Sequence, residues 1–354
     1  MDFTRDEGQD AVAEVVVSVL EREPARDFEL WPILVDSGLL SVALPERFGG
    51  DGMGLPEISV MLTELATDAV AVPALPTVGL ALPPLVAWLP DSVAEQVFPE
   101  VAAGAILTVA LSEPGAPFVA EPATTAVVDG DAVRVTGYKI SVPYAEQARW
   151  LVIPTDAGLA LVDAGAEGLT ITPTPTSGGM PEAGVRLDGV RIPARQLLPV
   201  GLAELHRIAV ASIGAVADGL LKGALVLTAE HLRTRRQFNR PLAEFQAVAQ
   251  QIADLYVVSR TLHAAAVSAN WALSQDDATP EHQERIDDDL DVLAYTVASE
   301  LPAAMQKCHH LHGGIGVDVT HPMHRYFSQA KDIARWLGGA SFRLDRLGAR
   351  CSST

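Results

Sequence analysis

Long apolar-periodic runs in the C-terminal part constrain this chain more than any other feature. Residues 205–236, 245–273 and 288–312 each carry apolar side chains at helical spacing over many turns. Helices of that length must bury their apolar faces, and the simplest partners are one another. Together with residues 323–336 they predict an antiparallel four-helix bundle within residues 201–354.

The remaining chain has two further textures. Residues 1–104 read as a helical domain, with helices expected over residues 11–20, 31–40, 55–67 and 91–103 and a glycine-marked loop, PERFGGDGMG, between the second and third. Residues 105–200 are different. Short β-branched or apolar runs at 106–111, 124–128, 132–136, 150–154 and 159–162 are separated by Gly, Asp and Pro at intervals of roughly ten residues, which predicts a small antiparallel sandwich or barrel. The DGDAV segment at 129–133 is a hairpin signal. The fold class is therefore mainly α with a central β domain, in the order helices, strands, helices.

Composition narrows the function classes. A chain of 354 residues with 49% hydrophobic content suits two or three packed lobes rather than one small core. A formal net charge of −20 argues against nucleic-acid binding, which wants a basic face. Two cysteines, Cys308 and Cys351, leave neither a disulfide framework nor a cysteine zinc site. The opening MDFTRDEGQD is polar and acidic, unlike a signal peptide, and the apolar stretch 72–89 is broken by Pro73, Pro76, Pro83 and Pro84. A cytoplasmic protein without membrane insertion is the expectation.

The motifs come next. Residues 235–255 read RRQFNRPLAEFQAVAQQIADL, residues 311–316 read LHGGIG followed by HPMHRYF, residues 110–115 read ALSEPG, and PERFGG lies upstream. In this order they resemble the acyl-CoA dehydrogenase family over nearly the whole chain. Arg235, Gln237, Phe238, Pro241, Phe245 and Gln246 match its R-x-Q-F-G-x-P…F-Q pattern, with Asn239 in place of the glycine. The resemblance implies FAD as cofactor, an acyl-CoA substrate, electron-transfer flavoprotein as acceptor, and a glutamate base that removes the α-proton while flavin takes the β-hydride. It also implies that each FAD is completed by a neighbouring subunit through the Arg-x-Gln-Phe region and the Gly-Gly turn. The cofactor-binding residues it assigns are Arg235, Gln237, Phe238, Gln246, His310, Gly313 and Gly314. A guanidinium fork suits a pyrophosphate, and glycines let backbone approach a cofactor closely.

Departures from that pattern are as informative. Ser141, Val142 and Pro143 stand where the family has Trp-Ile-Thr against the flavin, and proline has no amide N–H to offer. Phe118 replaces a hydroxyl that helps hold the flavin, and Leu337 stands where many members carry the base. The alternative base position, on the first bundle helix, holds Ala209, and the nearest acid is Glu204. No catalytic residue is thereby assigned; Glu204 is the one candidate. The expected assembly is an α2β2 complex with a second acyl-CoA dehydrogenase chain, resembling the non-catalytic subunit of actinobacterial enzymes that act on steroid side-chain CoA thioesters. Two alternatives remain open: a self-sufficient homotetramer using Glu204, and a flavin-free acyl-CoA-binding or regulatory protein.

Plainer readings stand beside these. Arg235, Gln237 and Phe238 also suit an ordinary helix end, and Glu204 suits an acid in a first helical turn. His309, His310 and His312 read as a helix cap before Gly313 rather than a metal site, because no carboxylate ligand accompanies them. Lys139 reads as a turn or salt-bridge residue, Cys308 as a core thiol, and residues 281–291 as a solvated acidic loop and helix start.

Overall fold

The computed structural model describes residues 4–275 and 279–352. The N-terminal helices are α1 (Glu7–Arg22), α2 (Trp31–Asp36), α3 (Leu55–Thr67), α4 (Leu82–Trp88) and α5 (Asp91–Ala102). Helix α1 starts at a capping box, in which Asp6 accepts from the Gln9 N–H and the Gln9 side chain accepts from the Asp6 N–H. The helix expected over residues 31–40 stops at Asp36, because Gly38 turns the chain at φ +81°. The proline-rich stretch becomes a π-helix, Leu75–Ala81, that runs directly into α4. Its Thr77 hydroxyl donates to Leu107 O at 2.9 Å and anchors the first strand beside it.

The central domain comprises β1 (Ile106–Val109), β2 (Thr125–Asp129), β3 (Ala132–Pro143), β4 (Ala148–Thr155), β5 (Gly158–Asp163), β6 (Leu169–Thr174), β7 (Glu182–Pro193) and β8 (Leu197–Leu198). They form two four-stranded sheets, ordered β1-β4-β5-β8 and β2-β3-β7-β6. Val133, Val135, Leu151, Ile153, Val162 and Val185 pack in the core that the two sheets share. The hairpin at Gly130 joins β2 to β3 as expected. The antiparallel expectation needs one correction: β1 pairs parallel to β4. Strand β7 was hidden in the sequence because Gly184, Arg186, Asp188 and Gly189 interrupt its apolar pattern.

The C-terminal part holds α6 (Leu202–Thr234), a two-residue hairpin of β9 (Arg236–Gln237) and β10 (Arg240–Pro241), α7 (Gln246–Leu273), α8 (Pro280–His312), α9 (Met323–Trp336) and α10 (Gly339–Ser352). Helices α6 to α9 form the bundle, and α10, which the sequence did not signal, packs on α8. Helix α6 is not amphipathic along its length. Residues 208–221 are buried on every side, since α3 covers the face that the bundle leaves. By length and composition α6 could cross a membrane, but 78% of its most apolar window is buried inside the fold, as in a central core helix. A Cβ at Gly223 would lie 1.9 Å from Thr67 O, so α3 and α6 approach backbone to backbone there.

The acidic segment 281–291 is corrected in part. It is helical from Pro280 with no loop, and Glu281, Glu284, Asp288 and Asp289 are exposed as expected, but three of its carboxylates are also anchors: Asp287 binds Arg207 of α6, while Asp291 and Asp288 bind Arg346 and Arg350 of α10.

Candidate functional site

Two motifs meet at one end of the bundle. Helix α6 ends at Arg235, whose N–H donates to His231 O at 2.8 Å. The chain then makes the β9–β10 hairpin, with Phe238 and Asn239 at φ +50° and +65°. Two successive left-handed residues define a type I′ turn, where asparagine is the best substitute for glycine. This explains why Asn239 is tolerated. Helix α8 ends beside it, because His231 of α6 stacks on His312 of α8 with ring centroids 4.6 Å apart.

Gly313 caps α8 at φ +64°, its N–H bonded to His310 O. No atom lies within 4 Å of a Cβ built at Gly313 or Gly314, so the turn faces open space. Arg235, Gln237, Gln246, His310, Gly313 and Gly314 are all exposed, and Phe238 is 88% exposed. Exposed Ile315, Val317 and Val319 follow the glycines. Every residue assigned to FAD from the sequence is thus on the surface, where this chain alone encloses nothing.

The histidines act as caps. His309 donates to Gly316 O and His312 Nδ1 donates to Cys308 O at 2.9 Å. Burial holds His312 below its ordinary pKa; the bond to Cys308 opposes this, and His231 and His321 add to it. No cluster suited to a metal ion occurs among the described residues. Cys308 is fully buried, and burial pushes its thiol up to about 11, as expected for a core thiol.

The place where the family pattern puts the flavin ring is different. Leu111, Ser112, Phe118, Ser141, Pro143 and Trp336 line a space of only about 20 Å³. That is close to the room of a single water and far from that of a three-ring heterocycle. The walls are cross-linked. Arg335 Nη1 donates to Ser141 Oγ at 2.9 Å, a second Arg335 nitrogen bonds Glu182, and Trp336 Nε1 donates to Glu182 Oε1 at 2.7 Å. The Pro143 carbonyl accepts from Thr108 Oγ1. Phe118, 4% exposed, lies 5.4 Å from His206 and 4.9 Å from the Arg343 guanidinium. These residues do not fit an isoalloxazine ring, and no carboxylate lines the space.

Leu337 and Ala209 are fully buried apolar residues, so neither base position offers an acid. Glu204 is half-buried in the first turn of α6 and does not line that space. Lys139 forms the salt bridge suggested by its context. Its Nζ lies 2.7 Å from Glu113 Oε1, and Glu113 also accepts from Thr124 Oγ1, Thr124 N–H and Ala123 N–H. Burial would raise the Glu113 carboxyl, but these four donors outweigh it and hold it below the usual carboxylate range. The SEP motif therefore serves as an anchor between the loop and β3. Sequence reasoning missed the buried polar residues Glu182 and Arg343 and the half-buried His206, none of which carried a motif.

The fold and motifs define a family. The acyl-CoA dehydrogenase N-terminal domain matches residues 2–105 and the acyl-CoA dehydrogenase C-terminal domain matches residues 204–350, and the chain belongs to the acyl-CoA dehydrogenase family. Among relatives, it is 45% identical over 356 aligned positions to the acyl-CoA dehydrogenase FadE28 of Mycobacterium tuberculosis, covering all of both chains. Among solved structures, it matches a chain of the ChsE4–ChsE5 complex of Mycobacterium tuberculosis at 32% identity and TM-score 0.89, with both chains fully covered. It matches a chain of the Tcur3481–Tcur3483 steroid acyl-CoA dehydrogenase, in its G363A variant, at 35% identity and TM-score 0.86, covering 98% of each. The chain therefore resembles heteromeric steroid acyl-CoA dehydrogenases.

Proposed function

We propose that this chain is the non-catalytic subunit of a heteromeric, FAD-dependent acyl-CoA dehydrogenase of the cytoplasm, α2β2 in make-up, that introduces an α,β double bond into a steroid side-chain CoA thioester. One contrast carries the reading. The ring pocket of this chain is closed to about 20 Å³, whereas its partner-facing turn is open and keeps the motif residues. A chain under no demand to hold a flavin ring can fill that space with Phe118 and lose its base, yet must preserve the surface that completes a neighbour's site.

In that assembly Arg235 would meet the FAD pyrophosphate through its planar guanidinium, and the backbone at Gly313 and Gly314 would border the cofactor. Gln237, Phe238, Gln246 and His310 would complete the wall. When bound in the partner, FAD supplies the hydride acceptor, and electron-transfer flavoprotein is the expected oxidant of the reduced enzyme. The exposed apolar side chains Phe238, Ile315, Val317 and Val319 suit burial against that second chain. Two similar structures described as pairs of differently named chains support a heteromer.

The test is the visible spectrum of this chain purified alone and after co-expression with its partner. The expected result is a colourless chain alone and a single flavin for each pair of chains in the complex. A stoichiometric flavin in the isolated chain, bleached anaerobically by an acyl-CoA, would sink the proposal.

A further inference from the structure

Three imidazoles from three parts of the chain meet beneath the partner-facing turn. His231 lies in the last turn of α6, His312 ends α8, and His321 belongs to the loop that carries Gly313, Gly314, Ile315, Val317 and Val319 on to α9. The rings of His231 and His312 stack with centroids 4.6 Å apart, and the His321 ring meets His312 edge-on at 5.0 Å. His312 is buried, and the other two are half-buried. This contact and the bond between His309 of α8 and Gly316 O hold the loop to the bundle.

The geometry suits neutral rings. His312 Nδ1 donates to Cys308 O, so Nε2 is the nitrogen that takes up a proton in acid. That atom is buried without a hydrogen-bond partner, so an N–H formed there has no acceptor. His321 Nδ1 accepts from the Met323 N–H at 3.3 Å, a bond that a protonated ring gives up. Charged rings this close, partly shielded from water, repel. The surrounding groups add to the effect. Arg235 of α6 faces His231, His309 of α8 faces His312 and His321, and His324 of α9 faces His321. The opposing charge is Asp318 of the same loop, which is exposed and already accepts from the Thr320 N–H and hydroxyl. Burial first, and these neighbours second, hold all three imidazoles below their ordinary value of 6.5.

We propose that this imidazole stack is an acid-sensitive latch: neutral, it holds the 313–322 loop in the shape that completes a neighbour's flavin site, and charged, it releases the loop and with it the partner chain. The proposal rests on the reading of that loop as the partner-facing surface. Its sign follows from linkage. The latched state takes up protons less readily than the opened one, so the latch is closed well above pH 6.5 and loosens as pH falls below it.

The test follows sedimentation and flavin absorbance of the complex with the partner chain at about pH 7.5 and about pH 5.5, with far-UV circular dichroism at each. The wild type should be a yellow complex at the higher pH. At the lower, its dissociation constant should rise by about tenfold or more, a factor of ten being the effect of one pKa unit on one imidazole, while helix content stays unchanged. His231→Phe keeps a ring in the stack that cannot be charged, and His321→Asn keeps an acceptor for the Met323 N–H. Both should assemble at the higher pH as the wild type does and resist the lower. In the isolated chain the three imidazole signals should titrate below pH 6.5 by NMR, and amide protection over residues 313–319 should fall with them. A wild-type complex that stays intact and yellow at the lower pH would overturn the latch. So would dissociation at the wild-type pH of whichever variant folds, or release only with loss of helix, which is general acid unfolding. Two chains that never form a flavin-containing complex at the higher pH would instead sink the reading of the turn, and the latch with it.

Discussion

Arg335 Nη1 donates to Ser141 Oγ at 2.9 Å, joining α9 to β3 across 194 residues of chain. The next residue, Trp336, gives its indole N–H to Glu182 of β7. Both bonds tie down residues that line the place where the family pattern puts the flavin ring, so Ser141 and Trp336 are held in that wall by partners outside it.

Glu182 is the shared acceptor of that cross-link and is 3% exposed. Replacing it with alanine strands the buried Trp336 N–H and frees Arg335. We expect Glu182→Ala to destabilise the chain by about 2 kcal/mol in urea unfolding, a figure reduced from that of a fully buried pair because Arg335 is partly exposed. Flavin content of the assembled complex should not change. A fall in flavin without a fall in stability would mean that this pocket does serve the cofactor.

Lys139→Met should destabilise by about 3 kcal/mol, because it leaves the Glu113 carboxylate buried without its counter-ion. Glu113→Gln with Lys139→Met should recover part of the loss. The pair also sets an acid limit. Glu113 titrates lower in the folded chain than its ordinary value of 4.5, so its contribution is fully present above that pH and is lost as pH falls through the folded pKa. Acid unfolding of Glu113→Gln should therefore be less steep below pH 4.5 than that of the wild type. Burial lowers the Lys139 ammonium from its ordinary value, and the Glu113 carboxylate opposes that shift.

The β9–β10 turn makes a prediction about Asn239, which sits at φ +65°. Asn239→Gly should leave stability within about 0.5 kcal/mol, while Asn239→Val should strain the hairpin by about 1–2 kcal/mol. The valine variant should also lower the flavin content of the complex by misplacing Arg235 and Gln237. Thermal unfolding and the flavin-to-protein absorbance ratio read the two effects separately.

Arg235→Ala and Glu204→Gln form a matched pair. Arg235 is exposed, so its removal should change stability by no more than about 0.5 kcal/mol yet reduce flavin retention in the complex. Glu204→Gln should leave dehydrogenase activity of the complex within about twofold, since a base essential for α-proton removal is worth orders of magnitude. A collapse of activity in Glu204→Gln would restore the self-sufficient enzyme as the better account.

Much of this protein is legible without coordinates. The later helices of the bundle show because a 3.6-residue period persists over many turns, α6 shows by its long apolar run, and Met323–Trp336 falls where the period predicts. Phe118, Pro143 and Leu337 betray the altered ring pocket because each lacks the polar group its position requires. By contrast, β7 and α10 are hidden, since β7 is interrupted by glycines and charges and α10 is a short, arginine-rich helix.

What tertiary structure alone decides is the fate of the charges. In the sequence Glu182, Asp291 and Arg343 look like surface residues, and the structure buries all three. Burial of an ionisable group depends on partners that arrive from distant segments, as Arg335 does for Glu182 and Arg346 for Asp291. Periodicity is a property of neighbours along the chain, and so the sequence by itself determines the helices, the β domain and the family. Electrostatic balance belongs to neighbours in space, and only the fold reveals that Glu182 lies buried between Arg335 and Trp336, holding the wall of the ring pocket.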